Sequence, residues 1–275
     1  MLEYTKNLRR WFTKYQTIIL EKKEKIATIT LNRPDRLNAL NEQMIEDLIG
    51  AIEAIEKDQD ARVLVLTGAG RAFCSGGDMV DVEPKVAHFS SEAVRQYGRH
   101  WQKVILGLHR LSKPTIAMVN GVAVGGGFDI ALACDMRVGS ENAKFIVGYT
   151  RIGVISDLGG TWLLPRIIGM AKAAEFTFTS DPIEAKEAEK IGLLNKLVHA
   201  SELETKTMEL ARKIAKGPPI AIRLDKLQFY KGLEIDLETA LDFEIACSSI
   251  TVASQDFREA LAAFSERREP RFEGR

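Results

Sequence analysis

The stretch PTIAMVNGVAVGGGFD, residues 114–129 of this 275-residue chain, decides the predicted fold. Residues 115–119 are apolar and mostly β-branched, which is typical of a buried strand, and an Asn-Gly turn follows. The three glycines at 125–127 precede FDIALAC, a run of good helix formers. Glycines at a helix start let a ligand approach the backbone, and the free N–H groups there attract negative charge. The stretch predicts a strand, a turn and a helix that can bind an oxyanion or a phosphate, with simple packing geometry as the alternative.

A second predicted strand ends in a similar turn. The run RVLVLTG (residues 62–68) has the pattern of a buried strand, and AGRAFCSGGDM (residues 69–79) follows it with a glycine pair and an aspartate. Strand-to-helix units then recur along the chain. This repetition favours an α/β core with mostly parallel sheets.

Composition limits the classes of partner. Lysine plus arginine and aspartate plus glutamate both number 38, so nothing draws the whole chain to nucleic acid or to a membrane surface. The three cysteines are widely spaced and odd in number, which suits a reducing compartment and argues against a disulfide framework or a zinc knuckle. No apolar run is long enough to span a bilayer. We therefore expect a cytoplasmic protein without a membrane or nucleic-acid partner.

Local patterns predict the order of the elements. Residues 17–31 alternate around a charged turn, as in a hairpin, and Asn41 is placed to cap a helix with an apolar stripe. Residues 91–111 predict another amphipathic helix, whereas the segment before it, residues 79–91, has no clear period and is predicted to be a long loop. A helix opening near residue 159 is expected to break at Pro165.

Taken together, these motifs resemble the crotonase superfamily, the family of the enoyl-CoA hydratases and isomerases. The resemblance covers most of the chain. The matching segments occur in the family's order and are NRPDRLNAL (32–40), VLTGAGRAFCSGGDM (65–79), KPTIAMVNGVAVGGGFDIALACDMRV (113–138), AKFIVGYTRIGVISDLGGTWLLPRIIG (143–169) and SDPIEAKEAEKIGLLNKLV (180–198).

The resemblance implies the domain organisation and the partners. It implies a ClpP-like spiral of β-β-α units over residues 17–198 and then a helical C-terminal region, residues 199–275, that packs on neighbouring subunits. The polar residues 1–16 by themselves predict an N-terminal arm before the spiral. A homotrimer, or a hexamer built as a dimer of trimers, is the implied assembly. The implied substrate is an acyl-CoA thioester, with CoA as part of the substrate and no metal or redox cofactor.

The resemblance also implies a binding site for the thioester. Two backbone N–H groups would polarise its carbonyl, those of Gly77 and Gly126. The loss of one such donor typically costs about 100- to 1,000-fold in rate, because the enolate oxygen needs preorganised donors. Residues on two segments would hold the CoA: Arg36, Ala39, Asp78, Met79 and Val80.

The groups that transfer protons depart from the family pattern. Typical hydratases carry two glutamates, at the positions that Asp129 and Tyr149 occupy here, so the usual hydration site is absent. Asp157 occupies the position of a catalytic aspartate in dienoyl-CoA isomerases, which keep a glutamate where this chain has Tyr149. We predict that Asp129 and Asp157 carry protons, with helix capping as the alternative for each. Tyr149 is predicted to orient water or substrate, or to fill space.

These residues lead to three hypotheses about function. The first is an enzyme that hydrates or isomerises a double bond of an enoyl-CoA or dienoyl-CoA through an oxyanion-stabilised enolate. In the second, Asp157 is the nucleophile of an aryl-CoA dehalogenase or hydrolase. The third is a non-catalytic binding protein with the same fold. Trp101, Phe128 and Trp162 hint at a bulky acyl group or are core residues, and His100 is predicted to be structural.

Overall fold

The chain winds between two sheets in the computed structural model, which describes residues 15–86 and 88–275. The predicted arm, residues 1–16, therefore lies almost wholly outside the described residues. In the described part the first sheet has six strands, in the order β1 (Ile18–Lys23), β2 (Ile26–Leu31), β3 (Val63–Gly68), β5 (Thr115–Val119), β7 (Met136–Ser140) and β10 (Lys196–Val198). The second has four, in the order β4 (Ala72–Cys74), β6 (Val122–Val124), β8 (Lys144–Ile146) and β9 (Ile183–Glu184).

Helices connect and cover the sheets. Those before residue 181 are α1 (Glu42–Lys57), α2 (Met79–Val86), α3 (Ser91–Arg110), α4 (Gly126–Ala133), α5 (Gly160–Ile168) and α6 (Met170–Thr179). Those after it are α7 (Ala185–Lys190), α8 (Leu203–Ala215), α9 (Pro219–Gly232), α10 (Leu237–Ala253) and α11 (Gln255–Glu266).

Each turn of the spiral adds one strand to each sheet and then a helix. β3 and β4 lead to α2 and α3, β5 and β6 lead to α4, and β7 and β8 lead to α5. From β2 to β10 the first sheet is parallel, as are β4, β6 and β8 in the second. This arrangement confirms the predicted α/β core with mostly parallel sheets.

The predicted hairpin and helix cap are confirmed in detail. β1 and β2 pair antiparallel with Lys23 opposite Ile26, and Glu24 and Lys25 between them both adopt positive φ, as a tight two-residue turn requires. The side chain of Asn41 accepts a hydrogen bond from Met44 N at 3.0 Å and so caps α1.

The core lies on both faces of the first sheet. β3 is buried along its whole length, and the face toward the second sheet packs against α1, α3 and α4. On the opposite face Val63 and Val65 pack against residues of α8, including Ala211. Strands buried on both faces explain the continuous apolar runs that the sequence shows.

Two of the local predictions are wrong. The segment predicted as a long loop contains α2, a short helix with Pro84 inside it. Because the helix is so short and contains a proline, the sequence shows no helical repeat of apolar residues there. α5 does not break at Pro165 but continues to Ile168. A proline inside a helix costs about 3 kcal/mol, but Leu163 and Leu164 are buried in the core and tertiary packing holds the helix together.

The C-terminal helices differ in how they pack. α9 is held by Asp135, whose Oδ1 accepts a hydrogen bond from Tyr230 Oη at 2.7 Å and whose Oδ2 forms an ion pair with Lys226 Nζ at 2.9 Å. α10, in contrast, buries only Cys247. Among the helices of the described residues, none has the length and apolar character needed to cross a membrane.

Candidate active site

Two glycine turns lie side by side where two paired strands of the second sheet end. β4 and β6 are parallel, so their carboxyl ends meet at one edge. Gly76 follows β4 with φ of +91°, a conformation that side chains rarely adopt. A Cβ on this residue would lie 2.8 Å from Val124 O and 3.7 Å from Gly126 N. The two turns that the sequence singled out are therefore neighbours in space.

The backbone around Gly77 is held on both sides. Leu40 N donates to Gly76 O at 2.7 Å, and Asp78 N donates to Leu40 O at 2.8 Å. These bonds form a parallel bridge between Leu40 and Gly77. Among the backbone hydrogen bonds of the described residues, none uses the N–H of Gly77. This exposed donor is thus fixed in place and available to a ligand.

Gly126 supplies a second donor at the start of α4. Gly125 before it has φ of +51° and ψ of −122°, and its N–H donates to Ile146 O at 3.0 Å. The first N–H groups of a helix have no partner within the helix. A Cβ on Gly126 would lie 3.0 Å from both Leu40 Cδ1 and Leu158 Cδ1. The donor therefore lies in apolar surroundings, where it interacts strongly with a developing negative charge.

A buried carboxyl group lies one helical turn beyond Gly126. Asp129 is only 2% exposed, and its Oδ2 accepts hydrogen bonds from Tyr149 Oη at 2.6 Å and from Ser156 Oγ at 3.0 Å. Gly160 N in turn donates to Ser156 Oγ at 3.0 Å. A Cβ on Gly160 would lie 2.3 Å from Asp129 Oδ1. Glycine is needed here because the backbone of α5 touches the carboxyl group.

Burial controls the ionisation of this cluster. Desolvation raises the pKa of Asp129 to about 7; the hydrogen bonds from Tyr149 and Ser156 lower it, and the charge of Asp157 raises it further. Desolvation and the nearby Asp129 carboxylate also raise the pKa of Tyr149. Tyr149 therefore stays protonated and donates, while Asp129 can exist in either protonation state near neutral pH.

Asp157 occupies a different environment. It lies in the loop before α5, with its side chain exposed, and its carbonyl oxygen accepts a hydrogen bond from Gln102 Nε2 at 2.8 Å. Partial burial still raises the pKa of its carboxyl group. The structure thus brings Asp129 and Tyr149 into direct contact and leaves Asp157 at the rim.

The predicted CoA-binding residues lie on two segments that Arg33 joins. Arg33 Nη1 donates to Ala39 O at 2.6 Å, and Arg33 Nη2 donates to Asp78 Oδ2 at 2.8 Å. Ala39 and Asp78 are buried, whereas Arg36, Met79 and Val80 are exposed. The role of Asp78 in this structure is to hold the turn, and CoA binding by these segments stays a prediction.

The other residues that the sequence singled out lie elsewhere. Phe128 and Trp101 are buried in the core, and Trp162 is partly buried against it. His100 Nε2 lies 2.7 Å from Glu46 Oε1, in keeping with a structural residue. No group of three His, Cys, Asp or Glu side chains in the described ranges is arranged to hold a metal ion.

Sequence reasoning missed two residues that organise the site. Ser156 precedes Asp157 directly, and a hydroxyl next to a predicted catalytic residue was the available signal. Arg33 lies in the NRPDRLNAL motif, but its partners are 6 and 45 residues away. No local pattern indicates contacts over such separations.

Fold and site together define an acyl-CoA enzyme of the crotonase class, and comparison with known proteins agrees. The chain belongs to the enoyl-CoA hydratase/isomerase family, whose model matches residues 21–275. The predicted family, fold and general reaction class, hydration or isomerisation of an acyl-CoA, are therefore confirmed.

The relatives of this chain include hydratases and an isomerase. The short-chain-enoyl-CoA hydratase of Clostridium acetobutylicum is 39% identical over 252 residues, which are 91% of this chain and 95% of that protein. The 1,2-epoxyphenylacetyl-CoA isomerase of Escherichia coli is 35% identical over 250 residues, 91% of this chain and 95% of its own. The crystal structure of an enoyl-CoA hydratase from Bacillus anthracis superposes with a TM-score of 0.90 at 35% identity, covering 94% of this chain and all of that one.

Proposed function

We propose that this enzyme moves a proton along the acyl group of an enoyl-CoA or dienoyl-CoA thioester and so shifts or hydrates its double bond. The proposal rests above all on the contact of 2.6 Å between Tyr149 Oη and Asp129 Oδ2, one helical turn from Gly126. Because the pKa of Asp129 is about 7, its carboxyl group can both take and return a proton at neutral pH. The reaction needs no cofactor, since CoA is part of the substrate.

The free N–H groups of Gly77 and Gly126 are the proposed oxyanion hole. A thioester makes its α-carbon acidic only if the oxygen of the resulting enolate is stabilised. Both donors come from rigid turns that lie against each other, so little reorganisation is needed when charge develops. A ligand that places its carbonyl oxygen between them brings its acyl group toward Asp129.

The CoA portion is proposed to bind at the entrance to the site, between the segments that contain Ala39 and Asp78, which Arg33 joins. Met79 and Val80 present apolar surface on the first turn of α2, and Arg36 is an exposed cation at the end of the short 3-10 helix Pro34–Arg36. An arginine at this position can pair with a phosphate group of CoA. Ala39 and Asp78 shape the entrance through their contacts with Arg33.

Of the two reactions, the arrangement favours isomerisation. Addition of water in the usual family site uses two carboxylates, but the second position here holds Tyr149, which stays protonated and donates a hydrogen bond to Asp129. An isomerisation needs one group to remove a proton and a group to deliver it to another carbon. Asp129 can do both, and Asp157 at the rim is the proposed second carrier once the acyl group covers it.

Single-turnover reactions in isotopically labelled water separate these reactions. Enoyl-CoA and dienoyl-CoA thioesters are incubated with the enzyme in D₂O and in H₂¹⁸O. Hydration is expected to introduce both ¹⁸O and deuterium. Isomerisation introduces no ¹⁸O, and it introduces deuterium only when the proton held on Asp129 exchanges with solvent before it is returned. If the wild-type enzyme changes none of these thioesters, the proposed function is wrong.

Asp129→Asn and Asp157→Asn test the proton carriers. Each is expected to lower kcat by about 100- to 10,000-fold, the usual contribution of a general acid or base, with little change in KM. Asp181→Asn, at an exposed aspartate outside the site, is the matched control. Wild-type kcat in both site variants would remove the assignment.

The same reactions address the covalent alternative, in which Asp157 acts as a nucleophile. That mechanism forms an ester between the enzyme and the acyl group, which mass spectrometry of quenched enzyme detects. We expect no such adduct. An ester at Asp157 would replace proton transfer as the role of this residue.

We further propose that the enzyme is a homotrimer, alone or paired into a hexamer. The support is the apolar surface of α10 and α11, where Leu237, Ile245 and Phe264 are 74%, 73% and 85% exposed. Such surfaces on a folded chain mark contacts with other proteins. A cytoplasmic location, predicted from cysteine usage, is part of the same proposal.

A further inference from the structure

Ser156 is a buried hydroxyl in an otherwise exposed loop. The residues on either side of it, Ile155 and Asp157, are exposed, whereas Ser156 is only 7% exposed. Burying a hydroxyl group costs free energy unless its hydrogen bonds are satisfied. The contacts that Ser156 makes are therefore the reason that the loop turns inward at this residue.

These contacts connect the start of α5 to Asp129. Ser156 Oγ accepts a hydrogen bond from Gly160 N at 3.0 Å and donates one to Asp129 Oδ2 at 3.0 Å. Gly160 is the first residue of α5, so the partial positive charge of that helix end acts through Ser156 on the carboxyl group. The arrangement uses the space that the missing side chain of Gly160 leaves, since a Cβ there would lie 2.5 Å from Ser156 Oγ and 2.3 Å from Asp129 Oδ1.

The two oxygens of Asp129 are consequently different. Both side-chain hydrogen bonds to the carboxyl group, from Tyr149 and from Ser156, end on Oδ2. In the described part of the chain no hydrogen bond reaches Oδ1, which faces the backbone at Gly160. With Oδ2 held by two donors and Oδ1 packed against the backbone at Gly160, these contacts fix the orientation of the carboxyl group.

We propose that Ser156 is a positioning residue that holds Asp129 by Oδ2 and orients its carboxyl group for proton exchange with the acyl group. This inference rests on the proposed function for its catalytic meaning, but the hydrogen bond itself is tested without a substrate. The step is a simple transfer. The acyl carbon loses a proton to the Asp129 carboxylate, and the electron pair of the broken C–H bond moves to the thioester oxygen. The carboxyl group then returns the proton to another carbon of the conjugated chain, and the electron pair moves back from the oxygen to form the new C–H bond.

The hydrogen bond from Ser156 favours the ionised form of Asp129 and keeps its pKa within the neutral range. The other groups that face Asp129 are Tyr149, from the short 3-10 helix Tyr149–Ile152, and Asp157, from the same loop as Ser156. Tyr149 lowers the pKa of Asp129 by donating a hydrogen bond, and Asp157 raises it by its charge. Ser156, like Tyr149, lowers the pKa of Asp129 and so opposes the rise that burial causes.

Ser156→Ala tests the positioning role. A hydrogen bond to a charged group is worth enough to move a pKa by about one to two units, so the pKa of Asp129 should rise by that amount. Infrared difference spectra of the free enzyme, with and without Asp129→Asn, report the carboxyl titration directly. In turnover, the limb of the kcat/KM profile that belongs to Asp129 should move upward by the same shift, with KM nearly unchanged.

Two further variants make the result specific. Ser156→Thr keeps a hydroxyl and should restore the wild-type titration of Asp129. Ser140→Ala is the matched control: Ser140 is also buried, accepts from Asn142 N and donates to Asn120 O, both at 3.3 Å, and does not touch the site.

The inference is overturned if the titration of Asp129 is the same in Ser156→Ala as in the wild type, or if Ser140→Ala shifts it equally. Absence of turnover by the wild-type enzyme would count against the proposed function alone, because the infrared titration uses no substrate. If the infrared titration of Asp129 shifts in Ser156→Ala but the pH profile of kcat/KM does not, the hydrogen bond from Ser156 is confirmed. The same result would show that Asp129 takes no part in the rate-determining proton transfer.

Discussion

At the scale of single residues, Asp129 shows which of two opposing effects prevails. Its two hydrogen bonds favour the charged carboxylate, but burial favours the neutral acid, and the pKa rises to about 7. Desolvation is therefore the larger effect. A carboxyl group poised in this way suits acid and base chemistry at neutral pH, at the cost of some stability.

This cost leads to a prediction about pH and stability. In the unfolded chain Asp129 releases its proton near pH 4, and in the folded chain near pH 7. The folded state thus binds the proton more tightly, so the contribution of Asp129 to stability is complete below pH 4 and is lost as the pH rises to 7. The free energy of unfolding of Asp129→Asn should therefore rise relative to that of the wild type over this pH range, by at most about 4 kcal/mol.

Thermal unfolding of both proteins between pH 4 and pH 8 measures this effect. The difference in melting temperature should grow steadily up to pH 7 and then level off. Asp181→Asn, which removes an exposed carboxyl group, is the control. A difference between wild type and Asp129→Asn that is constant across the range contradicts a raised pKa for Asp129.

At the scale of elements, backbone geometry forms the proposed oxyanion site. The bridge of Leu40 to Gly77 fixes the turn after β4, and the close approach of Gly76 to Val124 sets this turn beside the start of α4. Side chains contribute little to these two donors. Substitutions that change only the N–H group should therefore affect catalysis far more than substitutions that add a side chain.

Gly77 offers a matched pair of substitutions for this prediction. A Cβ at this residue meets no atom within 4 Å, so Gly77→Ala keeps the N–H without a clash and should keep most of the activity. Gly77→Pro removes the N–H and should lower kcat by about 100- to 1,000-fold. Steady-state kinetics, with circular dichroism to check folding, compares the two. Equal activity in the folded variants would show that Gly77 N–H is not an oxyanion donor.

At the scale of the whole molecule, the apolar surface of the last two helices is the dominant feature. α10 buries a single residue, Cys247, although many of its other residues are apolar. A helix of this kind is stable in water only when its exposed face is covered. Its exposure in one chain supports the proposal that copies of the chain cover each other.

Ile245→Asp in α10 tests this assembly. A charge at the centre of an apolar contact should shift the protein from trimer or hexamer toward monomer, as measured by size-exclusion chromatography with light scattering. Glu244→Gln, at the neighbouring exposed position, should leave the assembly unchanged. If the wild-type protein is itself monomeric at micromolar concentration, the proposed assembly is wrong.

The sequence by itself determined features that depend on neighbours along the chain. The hairpin turn at Glu24 and Lys25, the cap at Asn41 and the glycine turns containing Gly77 and Gly126 all follow from local conformational preferences. The family motifs added the superfamily and the order of the spiral. Each of these signals is a run of residues that are neighbours along the chain, where helix and strand periods are readable.

Only the tertiary structure decided how these pieces act together. In the folded chain Ser156 and Tyr149 donate hydrogen bonds to Asp129, and Arg33 binds residues of two separate segments. α5 also continues past Pro165. Those outcomes depend on burial and on contacts between residues far apart in the chain. Desolvation is a property of the packed interior rather than of any segment, so the sequence could name Asp129 but not its protonation state.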